Sequence, residues 1–563
     1  MSGRAAAATL ALALLAAGDP AAAAVTVDRL QLEMGKLDGE VLLRKDPDDK
    51  SSFAVAVVDP QDGKRLPGRV TVKGAFTRGL AKKSLLIKLD PGHKWRGGLR
   101  ISLNAMATDG SHMREWLSWK MMKALGMAVP EVEYTAVTLN GRELGPYLRI
   151  EWVDGEVFER HRLGKDGEYF QPIDSTYCGD LSPASIENSS RCWRVLAPFG
   201  GSHEPIEALV REIDAVTPTT VDELVEQKFE PEALVNWLTV NALVSDGDVY
   251  NKNYFLYRSK RIGGRWVVVP FDYDITFGRT YDPYREPPYT IVNDNFSYYY
   301  PLALGAPNPL RDKAVMNERL GSRIRARLGE LIEGEPEPNR PWRGWFEPRR
   351  MDARIDELYE RLAPMIGTDR ARFKEDVDAV RYYVRARVQY LKRVVLGRAA
   401  PENGIARAAL PAHRDITHLT DGAGYLLGYL RTVQAPAGAS VRLEAIRGAP
   451  ELLPPGLRPE ACVQRAWRLA TQGLSHAVSG DLTLEYRQET SRNHELGAAI
   501  RDERTLVLHR RDAGHRTEWR ALRTEVNTLA NTLTVRAMDL PAGAPAWFAA
   551  CEAAPTVEAR AAQ

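Results

Sequence analysis

Beyond its first two dozen residues the 563-residue chain has no apolar run near the roughly 20 residues that cross a bilayer. It has no excess of either charge: 76 Lys and Arg stand against 74 Asp and Glu, so no basic field argues for nucleic acid as a main partner. Cysteine is scarce, with 4 residues and no CxxC spacing, which argues against zinc. No GxxxxGK[ST] loop and no HExxH pair occurs, and the 10 histidines are scattered. No repeat of fixed period is found. What remains is an ordinary globular composition, 44% hydrophobic and 27% charged, in a chain long enough for two or three domains.

Residues 1–24 read as an export signal. Arg4 gives a charged start, Leu10 to Ala17 an apolar stretch, and Ala21 to Ala24 small residues for a peptidase. No lipobox-like cysteine follows, so the expectation is an exported protein in the periplasm, at the cell surface or secreted, with no transmembrane segment in the mature chain. Disulfides fit that setting. Of the three pairings that four cysteines allow, Cys178–Cys192 with Cys462–Cys551 keeps each pair inside one domain; free buried thiols are the competing reading.

Val25 to Val58, Val70 to Val72 and Leu85 to Leu89 have strand-like runs, with a glycine-punctuated turn from Lys73 to Gly79. Arg114 to Leu125 has the helical period. Tyr134 to Leu139 and Gly145 to Ile150 flank Asn140-Gly141, a strong hairpin signal. A polar, Cys-bearing stretch, about Lys165 to His203, reads as a loop insertion. Helices are expected over 205–213, 221–227 and 232–244, then a hairpin from Tyr254 to Val269, an irregular segment Asn293 to Pro309, and helices to Leu396. Ala400-Pro401 to Pro411 reads as a linker, and residues 406–563 as a β-rich accessory domain.

Chemistry concentrates after the 232–244 helix. Asp248 and Asn253 stand five apart in a loop, and Phe271-Asp272-Tyr273-Asp274 ends the next hairpin. Phosphoryl transfer needs one carboxylate to orient the attacking hydroxyl and accept its proton, with an amide oxygen and a second carboxylate to hold Mg²⁺ against phosphates. Protein kinases use this spacing and order. Asp, Gly and Asn are also common loop residues, and that plain reading competes.

Five blocks in this order resemble the spore-coat-protein-H (CotH) kinase family, from about Thr71 to Leu396. They are GAFTRGLAKKS (Gly74 to Ser84), Arg114-Glu115, Asn140-Gly141 through Gly145-Pro146-Tyr147 to Glu151, DVYNKNYFLY (Asp248 to Tyr257) and VVVPFDYDITFG (Val267 to Gly278). The resemblance implies an α+β, atypical protein-kinase-like two-lobed fold over 25–400, with a small lobe over about 25–153 and a large lobe over about 154–400. It implies ATP and Mg²⁺ or Mn²⁺ as cofactors, Asp248 as catalytic residue, and Asn253 and Asp272 as metal ligands, with Asp274 as a second ligand or helper. Lys83 matches the basic pair expected to reach ATP phosphate, with Lys82 and Lys88 as rivals. Glu115 is expected to pair with that lysine, or to be a solvated helix-start acid. Glu151 falls where a hinge would meet adenine, or is a plain strand-end acid. One departure stands out: the family usually has a polar residue at the position of Phe76. The implied activity is phosphate transfer from Mg-ATP to hydroxyl groups of a protein or surface glycan. The alternative is a catalytically silent kinase-like scaffold in a surface or coat assembly.

Overall fold

The structure, a computed structural model, describes residues 27–552 apart from 60–62, 97, 282–290, 294–305, 368, 398–402, 413–414, 422–425, 449–451, 477, 487–494, 514–517 and 528–531. The expected export segment and most of the irregular segment Asn293 to Pro309 lie outside the described residues. The chain divides into two compact units, Met1–Arg381 and Tyr382–Gln563. Helix and strand are mixed in the first unit.

Seven strands of the first unit close into a barrel in the order β1-β2-β3-β4-β5-β7-β6: β1 Val27–Glu33, β2 Phe53–Val58, β3 Arg65–Val72, β4 Leu85–Leu89, β5 Arg100–Asn104, β6 Val132–Leu139 and β7 Arg142–Ile150. Period-two alternation builds it. On β3, Leu66, Val70 and Val72 point inward while Arg65 and Arg69 face solvent. Asn140 and Gly141 both take positive φ, 50° and 80°, which the tight β6–β7 turn requires. A helix, α1 (Lys36–Leu43), sits between β1 and β2, where only strands were expected. Its apolar positions are too few to set a helical period apart from the flanking strands.

Outside the barrel, α2 (Arg114–Ala124) precedes β6 and α3 (Gly155–Arg160) follows β7. The Cys-bearing stretch is not an insertion loop. It supplies β8 (Glu168–Pro172) and β9 (Trp193–Ala197), which extend the hairpin of β10 (Tyr254–Arg258) and β11 (Trp266–Pro270) into a four-stranded sheet ordered β11-β10-β8-β9. The aromatic rings of Phe158, Tyr169, Phe255 and Tyr257 pack together on it. Helices α4 (Glu204–Ala215) and α5 (Val221–Lys228) lead to α6 (Pro231–Val244), which is buried throughout from Leu234 to Val244. After the short pair β12 (Arg279–Tyr281) and β13 (Ile291–Asn293) come α7 (Pro309–Met316), α8 (Glu318–Glu333), α9 (Pro348–Leu362) and α10 (Arg370–Tyr390). Asn308 and Asn317 cap α7 and α8 by accepting from Arg311 N and Leu320 N.

The second unit holds two antiparallel sheets around one core. One has six strands, β14 (Gly404–Ala409), β17 (Ser440–Arg447), β18 (Cys462–Gln472), β24 (Ala546–Glu552), β20 (Leu506–Asp512) and β21 (Arg520–Ala521) in that order, the other five, β15 (Asp415–Thr420), β16 (Leu426–Val433), β19 (Val478–Glu485), β23 (Thr532–Leu540) and β22 (Glu525–Asn527). Cys462 and Cys551 are bonded across the neighbouring strands β18 and β24, and Cys178 is bonded to Cys192 in the first unit. No described helix is long and apolar enough to cross a membrane.

Candidate active site

A cavity of about 530 Å³ opens in the first unit. Its apolar walls come from β7, α3 and the β8–β11 sheet, through Ile150, Phe158, Leu196, Phe255 and Tyr257. Its polar end is made by Lys73, Ser102, Asn104, Glu115 and Asp272. The size suits a small-molecule site, and the lining joins the apolar walls to many polar and charged side chains, Arg100, Asp154, Lys165 and Arg194 among them.

The acids at that end are placed by the elements that carry them. The start of helix α2 is braced by Asp109, whose carboxylate accepts from the Arg114 backbone N–H at 2.9 Å and forms a buried ion pair with the Arg114 guanidinium. That start turns Glu115 inward, where it accepts from Asn104 Nδ2 at 2.7 Å and Trp119 Nε1 at 3.2 Å. Burial, followed by the nearby Asp274 charge, pushes the Glu115 carboxyl up to about 7. Glu115 is therefore no solvated helix-start acid.

Tyr273 fixes the segment after β11. Its ring is fully buried against Trp119 and its hydroxyl donates to Asn241 Oδ1 of α6 at 2.9 Å. With Tyr273 driven into the core, the two flanking acids turn the other way. Asp274 accepts from Thr108 Oγ1 at 2.6 Å. Among the described residues no hydrogen-bond donor holds the Asp272 carboxylate. Burial, then Asp274 and Glu115, push Asp272 well above the usual carboxylate range, and burial raises Asp274.

The loop after α6 carries Asp248 and Asn253. Ser245 ends the helix in the left-handed region, and Asp246 accepts from the Asp248 N–H at 2.9 Å. Asn253 Nδ2 donates to the Asp248 carbonyl at 2.8 Å and to its Oδ2 at 3.1 Å. Lys252 Nζ, nearly buried, lies 3.0 Å from the same Oδ2. Burial raises Asp248 to about 6, with Lys252 opposing. Ser245, Tyr250, Asn253, Asp272 and Phe277 all hold positive φ. Non-glycine residues in that region cost about 1–3 kcal/mol each and persist where surrounding packing enforces them, often at functional sites.

Asp248, Asn253, Asp272, Asp274 and Glu115 are thus brought together, and Glu151 lines the cavity. The Glu151 carboxylate is occupied by Arg160 and the Glu131 N–H, the contacts of a strand-end brace. Lys83 is placed elsewhere: its Nζ donates to the Arg78 carbonyl at 2.6 Å and it does not line the cavity. Lys82 Nζ donates to the Pro146 carbonyl, and Lys88 is exposed on β4. The lysine that faces the acids is Lys73, directly after β3. Its Nζ donates to Ser102 Oγ at 2.7 Å, burial lowers its pKa, and the charges of Glu115, Asp272 and Asp274 oppose that shift. The reading of the residues missed Lys73 because it sought a lysine after the glycine turn, whereas Lys73 precedes it. It also missed Lys252 and its partner Asp174.

Among the described residues no three His, Cys, Asp or Glu side chains converge closely enough to hold an ion by themselves. A divalent cation on one or two carboxylates and substrate phosphates needs no such cage. Asp272, half-buried beside Asp274 and Glu115 and with no donor among the described residues, suits that role, as does the Asn253 oxygen, since its nitrogen is engaged by Asp248.

A lysine after a barrel strand facing Glu115, Asp272 and Asp274, with Asp248 and Asn253 in the neighbouring loop, is compatible with a kinase-like protein. The chain belongs to the family described as CotH kinase protein, whose match covers residues 70–400. Inner spore coat protein H of Bacillus subtilis (strain 168) is 27% identical over 343 residues, 58% of this chain and 87% of that relative. The crystal structure of a Helicobacter pylori proinflammatory kinase, CtkA, overlaps 54% of this chain and 94% of that one at 12% identity and a TM-score of 0.23, too low to bear on the fold.

Proposed function

We propose that the protein is an exported, ATP-dependent phosphotransferase with a two-lobed, atypical kinase-like arrangement. The barrel β1–β7 acts as the small lobe and the elements from α3 onward as the large lobe. The observation that supports this best is the meeting of Lys73 with Glu115 and Asp272 at the polar end of one cavity. The apolar walls take the adenine, and Lys73, in place of Lys83, meets the phosphates, oriented by Glu115. Asp248 accepts the proton of the acceptor hydroxyl; with its carboxyl near 6, it is ionised at neutral pH and still basic enough to serve. Asn253 and Asp272, with Asp274 behind them, would hold Mg²⁺ or Mn²⁺, which supplies charge neutralisation to the transferring phosphoryl group. The acceptor is a hydroxyl of a protein or surface glycan. Two disulfides agree with an oxidising, exported setting.

The test is incubation of the purified protein with labelled ATP, Mg²⁺ and extracellular fractions of its source, alongside thermal melts with and without Mg-ATP. Label transfer and a raised melting temperature are expected. Neither label nor shift would leave the kinase-like scaffold without turnover as the reading.

A further inference from the structure

The proposed mechanism does not use the Cys178–Cys192 segment, yet the most specific contacts of the Asp248 loop lead to it. Asp174, in the turn after β8, lies 3.1 Å from Lys252 Nζ, and the same Nζ lies 3.0 Å from Asp248 Oδ2. Only 7% of the Lys252 side chain is exposed, so this ammonium has exchanged water for two carboxylates. It also lies 4.7 Å from the centre of the Tyr177 ring. Two residues on, the Gly179 N–H donates to the Asn251 carbonyl at 3.1 Å, and its carbonyl accepts from the Tyr254 hydroxyl at 2.6 Å. The contacts to Asn251, Lys252 and Tyr254 thus come from a stretch only six residues long, and Lys252 carries them on to Asp248. That stretch is tied at both ends: the Ile173 N–H donates to the Cys192 carbonyl at 2.8 Å, and Cys178 is bonded to Cys192.

We infer that residues 173–179, closed by the Cys178–Cys192 disulfide, form a clamp on the Asp248 loop, with Asp174 and Lys252 as positioning residues for Asp248. The catalytic part rests on Asp248 being the base; the mechanical part does not. A lysine shared by two carboxylates fixes the direction of both, and the Asp248 loop runs through strained backbone at Tyr250 and Asn253, which needs outside support to persist. The disulfide supplies it by limiting how far the Asp174 turn can move. In an exported protein the oxidised form is then the competent one.

The experiment uses the full native chain. Its disulfides are reduced with dithiothreitol, and amide hydrogen exchange is followed at residues 248–254 and at β6–β7. Exchange at 248–254 is expected to quicken by about tenfold or more while β6–β7 is unchanged. In phosphotransfer assays kcat is expected to fall about fivefold or more with KM for ATP within about twofold, the pattern of lost positioning and not of lost nucleotide binding. Asp174→Ala should reproduce the kcat loss without reduction, and Asp174→Glu should recover most of it. Unchanged exchange at 248–254 overturns the clamp, as does a rise of equal size throughout the unit, which would make the disulfide a general staple. A native protein without phosphotransfer refutes the proposed function, while the exchange result still decides the clamp.

Discussion

Asp248 is held from three sides, by Asp246 at its N–H, Asn253 at its carbonyl and Lys252 at its carboxylate. Asp248→Asn keeps the shape and removes the proton acceptor, so phosphotransfer should fall at least about a hundredfold with the melting temperature unchanged. Because the base must be ionised, kcat of the parent should decline as pH drops through about 6, the value to which burial raises this carboxyl; a profile flat to pH 5 would remove Asp248 from that role. For the lysine, burial and partners favour Lys73, which the order of residues did not single out, over Lys83, which it did. Lys73→Met should abolish the Mg-ATP thermal shift, since its Nζ faces Glu115 and Asp272. Lys83→Met should leave that shift in place, because its Nζ is spent on the Arg78 carbonyl. Equal loss in both would return the role to the Gly74–Ser84 turn. The two acids differ in the same way. Asp274 is already held by Thr108, whereas Asp272 has no donor among the described residues. Asp272→Asn should therefore weaken nucleotide binding across a Mg²⁺ series more than Asp274→Asn does, and a larger loss at Asp274 would reverse the assignment.

Elements differ in how plainly their residues announce them. The β6–β7 hairpin was legible because Asn140-Gly141 supplies the positive φ its turn needs, and β10–β11 because two apolar runs flank Gly263-Gly264. The candidate acids were marked in the sequence by order, with Asp248 and Asn253 after a helix and Asp272 and Asp274 after the next hairpin, and by the family resemblance, not by any sign of burial. Strands β8 and β9 were hidden. Each is five residues long, and they pair across the intervening Cys-bearing stretch, from Phe170 with Val195 to Pro172 with Trp193, so no local period marks them. Lys73 was hidden for a related reason: its placement depends on β3 lying one strand from β5, so that its Nζ reaches Ser102 across β4, not on its neighbours in sequence. The fit of β8 on β10 can be tested at Gly167, just before β8. Its N–H donates to the Tyr257 hydroxyl at 3.0 Å, and a Cβ there would lie 2.5 Å from the Arg258 carbonyl oxygen and against the Tyr257 ring. Both neighbours belong to β10: one is paired backbone, the other the end of the Tyr257 side chain, which is buried and stacked on Phe158, so neither yields cheaply. Gly167→Ala should cost about 1–3 kcal/mol, the usual range for overpacking, read as a lower urea midpoint with an unchanged slope for the transition of the first unit. A midpoint equal to that of the parent would show that β8 can move off β10 freely.

Each unit of the molecule has its own core, barrel and helices in Met1–Arg381 and paired sheets in Tyr382–Gln563, and each holds one disulfide. Separate cores make a single unfolding transition the wrong description, and calorimetry of the full chain should resolve more than one. The proposed nucleotide site lies wholly in the first unit, since Lys73, Glu115, Asp248 and Asp272 all precede Arg381. A ligand that binds only the native state stabilises by mass action, about 2.7 kcal/mol at a hundred times its Kd, and it does so for the unit that binds it. Mg-ATP should therefore raise one transition. The Cys462–Cys551 bond closes a long loop, its ends at a sequence separation of 89, within the second unit. Such a closure restricts the unfolded chain, and its loss costs about 2–5 kcal/mol in typical domains. Replacing both residues, Cys462→Ser with Cys551→Ser, should lower a different transition and leave the size of the Mg-ATP shift untouched. The two perturbations together assign each transition to its unit without cutting the chain. If the serine pair abolished the Mg-ATP shift, or Mg-ATP raised the transition that the serine pair lowers, nucleotide binding would depend on the second unit, and a site built from the first unit alone would be wrong.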